Sequence, residues 1–161
     1  MLLLTCPCTV LNPVSPTVAP ECTRGPKYEE ELPAPEPFTP WADIWALGCV
    51  FSDMLVRCRF GEEGVTEYRQ RRRRETHETP LKDSEWVSGF HDGVKRLSCV
   101  DEMHQRVLEG CPGDHFLHVV SRLTLEMLQP REKREKYSAG RIRSRWLREL
   151  GKLGGSLEQR V

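Results

Sequence analysis

The chain has 161 residues, of which 38% are hydrophobic and 30% charged, with four Trp. That length suits one domain with a real core. Its 24 basic and 24 acidic side chains cancel, so bulk charge selects no partner. The seven cysteines are odd in number and contain no CxxC pair. They argue against a secreted disulfide framework and for a reducing, intracellular compartment, cytoplasmic or nuclear.

The N-terminal stretch MLLLTCPCTVLNPV is apolar but has no positive flank, and Pro7 interrupts it. It does not read as a signal peptide. No apolar run reaches the length of a membrane span, so no membrane partner is expected. Nine of the twelve prolines lie between positions 7 and 40. Proline lacks the donor that helices and central strands need, so this segment reads as an irregular arm.

Thr39-Pro40 then marks a helix start, with Thr as N-cap and Pro at the first helical position. WADIWALGCVFSDMLV is apolar on nearly every side, which predicts a buried helix over about 40–57. A polar helix is expected over about 62–75 and a loop over TPLKDSEWVSGF. Val94, Leu97, Val100, Met103 and Val107 recur at spacings of three and four, an amphipathic helix stopped by Gly110. Asp114 is a candidate N-cap for the next helix, with Phe116, Val120, Leu123 and Met127 as its buried stripe. Ser138 caps a last helix carrying Ile142, Trp146, Leu147 and Leu150. No alternating strand pattern is evident, so the expected class is all-α: five helices behind a proline-rich arm.

Charge is unevenly placed. Residues 1–63 hold 4 basic and 9 acidic side chains, and residues 131–161 hold 10 basic and 4 acidic. Arg69 and Arg71 to Arg74 form a second basic cluster, flanked by Glu67, Glu75 and Glu78. No aromatic residue interleaves the cluster, so it reads as a solvated helix face, and nucleic acid is not an expected partner. His115 and His118 share a helix face, but no third ligand is near them in sequence, so no metal is expected. Cys6-Pro7-Cys8 is equally unsupported as a metal or redox pair.

Three motifs in order carry a resemblance. Ala19-Pro20-Glu21 precedes Asp43-Ile44-Trp45-Ala46-Leu47-Gly48, and SAGRI follows at 138–142. Together they resemble the C-terminal lobe of fungal-type serine/threonine protein kinases: the end of the activation segment, the D-x-W-x-x-G start of the central helix, and the last conserved motif. The likeness covers roughly residues 17–150, with 1–16 an unrelated arm and 151–161 a flexible tail. It implies that Glu21 pairs with a base of the last motif, Lys136, or Arg134 if the register shifts. It implies that Asp43 accepts hydrogen bonds from the catalytic loop, or satisfies donors of its own first helical turn. Trp45 and Gly48 would be packing residues. Thr17 to Thr23, Cys22 included, would line the substrate-facing loop.

The chain departs from the family elsewhere. Val14 stands where the family has Thr, and Thr17 where it usually has Tyr. Phosphoryl transfer needs a phosphate cradle, metal ligands and an oriented hydroxyl. No Gly-rich loop, V-A-I-K lysine, His-Arg-Asp or Asp-Phe-Gly occurs in the chain; His91-Asp92-Gly93 is the nearest string and falls far downstream. ATP and magnesium, the cofactors of a complete family member, are therefore not expected to bind here. The family activity is ATP-dependent phosphorylation of protein Ser/Thr. For this chain the expectations are an inactive fragment, a non-catalytic protein-interaction module of pseudokinase type, or a truncated gene product. Without the upper lobe, Phe51 and Leu55 are expected to face water or a partner.

Overall fold

The computed structural model describes residues 17–22, 40–79, 89–134, 136 and 138–158. The expected arm 1–16, Thr23, most of the loop after 79 and the Leu150 side chain lie outside the described residues. Among these residues, five α-helices follow a short 3-10 turn, Pro20–Cys22: α1 Pro40–Thr76, α2 Ser98–Glu109, α3 His115–Met127, α4 Arg131–Arg134 and α5 Ala139–Glu158. No strand occurs among the described residues.

The two helices expected over 40–57 and 62–75 are the limbs of α1, and the break between them is Gly61 at φ 66°. That left-handed backbone suits glycine because it lacks a Cβ. The first limb is the centre of the molecule. Trp45, Cys49 and Val56 are buried along it, and α2, α3 and α4 all pack against α1. It is not covered all round: Leu47, Val50 and Met54 are 42%, 47% and 52% exposed. These three recur at helical spacing and form the open face. Leu55 is buried, and Phe51 stacks on Trp146 of α5 with ring centroids 5.2 Å apart. The expectation that Phe51 and Leu55 face outward is thus corrected: α5 covers Phe51, and the open stripe lies beside it.

The helix expected to include Val94 begins instead at Ser98. Residues 89–97 form a turn closed by a single bridge between His91 and Arg96. Gly93 has φ 103°, and the Asp92 carboxylate accepts from the amides of Val94 (2.9 Å) and Lys95 (2.8 Å). This aspartate-centred turn competes with helix, and it leaves Val94 58% exposed. Leu97, Val100, Met103 and Val107 are buried as the spacing implies.

Leu97 is a poor N-cap for α2, and a distant residue supplies what it lacks. Glu75 at the end of α1 accepts from Ser98 N (2.7 Å), Ser98 Oγ (2.7 Å) and Cys99 N (2.8 Å). Burial raises the pKa of Glu75, but the bonds from Cys99 and Ser98 outweigh it, and the carboxyl ends below its ordinary value. Glu75→Ala is expected to destabilise the fold by about 1–2 kcal/mol, the scale of a lost cap. A urea melt of this variant matching the parent would show that the cap contributes nothing.

Asp114 caps α3 through Leu117 N (3.0 Å), and Ser138 Oγ accepts from Arg141 N (3.2 Å) in the first turn of α5. Val120, Leu123 and Met127 are buried, but Phe116 is 46% exposed. The first turn of α3 therefore carries one end of the apolar stripe out of the core. Arg145 of α5 grips Glu126 of α3 with two bonds, 2.5 and 2.9 Å. The helix itself continues to Glu158, past the boundary expected at 150.

Candidate functional site

The chemistry-bearing residues gather where the short segment 17–22 meets the helices. Proline at the start and the Cys22 N to Ala19 O bond (2.9 Å) close the 3-10 turn at Pro20–Cys22. That turn buries Ala19 and Pro20 and leaves the Glu21 side chain 14% exposed.

Arg134, completely buried, occupies the space beneath Glu21. Its Nη2 donates to Glu21 Oε1 (2.7 Å) and Oε2 (2.5 Å), across 113 residues of chain. Its Nε donates to Gln129 O at 2.6 Å and its Nη1 to the carbonyl of Trp41. The guanidinium carbon stands 5.1 Å from the Trp45 ring centre. One cation thus joins the 3-10 turn, the first turn of α1 and the end of α3. Arginine suits the task because its planar fork offers five donors and its face stacks on indole.

Of the two bases that the sequence allowed opposite Glu21, the structure places Arg134 there. Lys136 is exposed, and its carbonyl accepts from Arg141 Nη1 at 2.9 Å. Lys136 follows the short α4, which turns Arg134 inward and leaves residue 136 outside.

Trp45 is fully buried and meets His91 edge to face, with ring centroids 5.7 Å apart. His91 Nδ1 accepts from Gly93 N (2.9 Å), so its proton sits on Nε2 and bonds the backbone of Val18. Burial, ahead of every other influence, pushes His91 down to about 4. A neutral histidine therefore holds one end of the segment, and a charged arginine the other.

Gly48 is packed so closely that an added Cβ would lie 3.0 Å from the Leu128 side chain and from Met127 Cβ. Asp43 lies in the first turn of α1 and is exposed, so it is not buried among partners. Thr17 and Cys22 are half-buried at the two ends of the turn. Burial and then the Glu21 charge raise the Cys22 thiol above its usual range. Cys22 is thus held as a neutral thiol rather than a nucleophilic thiolate.

Two further polar clusters were not legible in the sequence. Ser52, Tyr68, His104 and Ser121 form a buried chain, with Ser52 Oγ 2.9 Å from both Tyr68 Oη and His104 Nε2, and His104 Nδ1 2.8 Å from Ser121 Oγ. Desolvation pushes His104 down to about 4. Ser52 has no exposed surface, so this serine–histidine pair meets no substrate and joins α1, α2 and α3 instead. Arg72 belongs to no solvated face: it is fully buried between Tyr68 (4.2 Å) and Phe90 (3.9 Å) and pairs with Asp53 at 2.9 Å. The run Arg71 to Arg74 is therefore split, with Arg73 and Arg74 exposed and Arg71 bound to Glu67 at 2.9 Å.

His115 and His118 are exposed on α3. Among the described residues, no three His, Cys, Asp or Glu side chains are placed to hold a metal ion, and no helix is long and apolar enough to cross a membrane. Compared with protein-family models, with curated proteins and with solved structures, the chain matches none.

Proposed function

We propose that residues 17–150 form the helical base of a serine/threonine protein kinase C-terminal lobe. In this reading the chain serves as a platform for protein substrates or partners and carries no phosphoryl-transfer chemistry of its own. The observation that supports it is the bond between Glu21 of Ala19-Pro20-Glu21 and the buried Arg134, made over the indole of Trp45 from D-x-W-x-x-G. A loop that must present a substrate has to be held from behind, and a buried, multiply bonded arginine does that with little freedom. Thr17, Cys22 and Thr23 would then belong to the presenting loop.

Phosphate transfer is assigned to other segments because the motifs that cradle ATP and bind magnesium do not occur in these 161 residues. Purified chain incubated with labelled ATP, magnesium and a generic protein substrate is expected to show no incorporation above a mock preparation. Turnover abolished by a substitution in the chain would overturn the assignment. Membership in a kinase is tested separately, by the transcript upstream of Met1. An in-frame Gly-rich loop, lysine strand, His-Arg-Asp and Asp-Phe-Gly would support a catalytic parent, whose function this platform serves.

A second reading, a free-standing interaction module, is favoured by one observation. Leu47, Val50 and Met54 present an apolar stripe on the central helix, and exposed apolar patches mark interfaces. A transcript beginning at Met1 would select it over the first.

A further inference from the structure

We propose that the concave basic face at the start of α5 binds a phosphate monoester carried on a partner protein. The face is an open concavity of about 690 Å³ lined by Lys136, Ser138, Arg141, Ser144, Arg145 and Arg148, with Gly140 between them. Arg141, Ser144, Arg145 and Arg148 follow one another at spacings of three and four, so they share one side of the helix. Lys136 and Ser138 approach from the preceding turn. Among the described residues no carboxylate lines the cavity.

The state of each cation decides what the face can do. Arg145 is neutralised by its two bonds to Glu126. Arg141 donates one N–H to the Lys136 carbonyl (2.9 Å), which fixes the guanidinium and leaves its other donors available. Among the described residues, Lys136, Arg141 and Arg148 have no acidic partner within salt-bridge range. Three like charges around one concavity repel, and a dianion placed among them relieves that repulsion. Ser138 Oγ already accepts from Arg141 N, so its own hydroxyl hydrogen is free to point at an anion. A phosphomonoester carries close to two charges near neutrality and three acceptor oxygens, which matches this set of donors.

The shape favours a phosphorylated side chain over a nucleic acid. A bare phosphate would fill little of the cavity, leaving room for the chain that carries it. Among the described residues no aromatic ring lines it for bases to stack on, and the Trp146 ring of α5 packs on Phe51 instead. The inference stands apart from the kinase-like reading, since no residue of the Glu21–Arg134 tie takes part.

The test is a titration of ¹⁵N-labelled chain followed at the arginine Nε–H signals. The probes are N-acetyl-phosphoserine methylamide, its unphosphorylated serine counterpart, inorganic phosphate and a short single-stranded oligonucleotide. Saturable shifts at Arg141 and Arg148 are expected with the phosphoserine compound, tighter than with inorganic phosphate and absent with serine. Arg141→Gln combined with Arg148→Gln is expected to weaken binding about tenfold or more. Both side chains are exposed, so the thermal midpoint should hold. Equal binding of phosphate and phosphoserine would mean an adventitious ion only and overturn the proposal, as would the absence of saturation. Oligonucleotide binding that phosphoserine cannot displace would reassign the face to nucleic acid.

Discussion

Arg134→Ala is expected to remove about 3–5 kcal/mol of stability, the cost of leaving one member of a buried ion pair without the other. For a domain whose total stability is about 5–15 kcal/mol, that is a large share. The loss has three parts. The Glu21 side chain, in a site only 14% exposed, loses the cation beneath it. The carbonyls of Gln129 and Trp41 lose their donors. The indole of Trp45 loses the guanidinium 5.1 Å from its centre. Arg134→Lys is expected to fall between parent and Ala, because one ammonium cannot reach the carboxylate and both carbonyls from one position. Urea unfolding of Arg134→Ala, Glu21→Gln and the double variant measures the pair directly. Additive losses would mean that the two residues act independently and that the segment 17–22 is held by packing alone.

The second large effect is acid destabilisation, and histidine sets its window. His91 and His104 are both neutral in the fold, lowered from 6.5 to about 4 by burial. A depressed histidine favours the folded state fully above its unfolded value, and that stabilisation drains away as pH falls from 6.5 toward 4. Each shift is on the order of 3 kcal/mol, and together they rival the stability of the whole domain. For His91 the facing groups are Asp92, the Val18 backbone and Arg134; for His104 they are Ser52, Ser121, Arg96 and Asp101. Asp92, the Val18 backbone and Asp101 favour the charged forms, and burial outweighs them. The lowered carboxyls Glu67 and Glu75 act later, since their contribution is intact above 4.5 and fades only below it. Melting midpoints are therefore expected to stay level near neutrality and to drop steeply between pH 6.5 and 4, with an uptake approaching two protons on unfolding. A midpoint level across that interval would mean that neither histidine is neutralised by the fold.

Much of the helical plan was legible because apolar spacing is a local signal. Val100, Met103 and Val107 on α2, and Val120, Leu123 and Met127 on α3, could be read directly and are buried. Asp114 and Ser138 could be read as caps because the bond each makes is three residues away. What failed was whatever depends on distant chain. Val94 matched the spacing but fell in the turn built by Asp92 and Gly93. Phe116 matched its stripe but lies where the helix leaves the core. Glu75 was counted among flanking acids of a basic run, and its role as cap of α2 exists only once two helices meet. Arg72 was counted with its exposed neighbours for the same reason, and its place between Tyr68 and Phe90 is a tertiary fact. At the candidate site, Glu21 and Trp45 were legible as motif members. Lys136 was the base expected there, with Arg134 only if the register shifted, and the turn after α3 puts Arg134 inside instead.

The buried chain from Tyr68 to Ser121 also has a direction. Neutral His104 carries one ring proton, so one serine must donate to it and the other must accept. At the other end, the Arg72 guanidinium carbon lies 4.2 Å from the Tyr68 ring centre, so its charge faces the ring. Two orders satisfy every pair: Tyr68 to Ser52 to His104 Nε2 with His104 Nδ1 donating to Ser121, or the same chain with every hydrogen reversed. In either order the hydroxyl on α1 and the hydroxyl on α3 are tied through one ring on α2, so neither can turn over without the other. The three helices thus share one proton arrangement, which reverses as a whole or not at all.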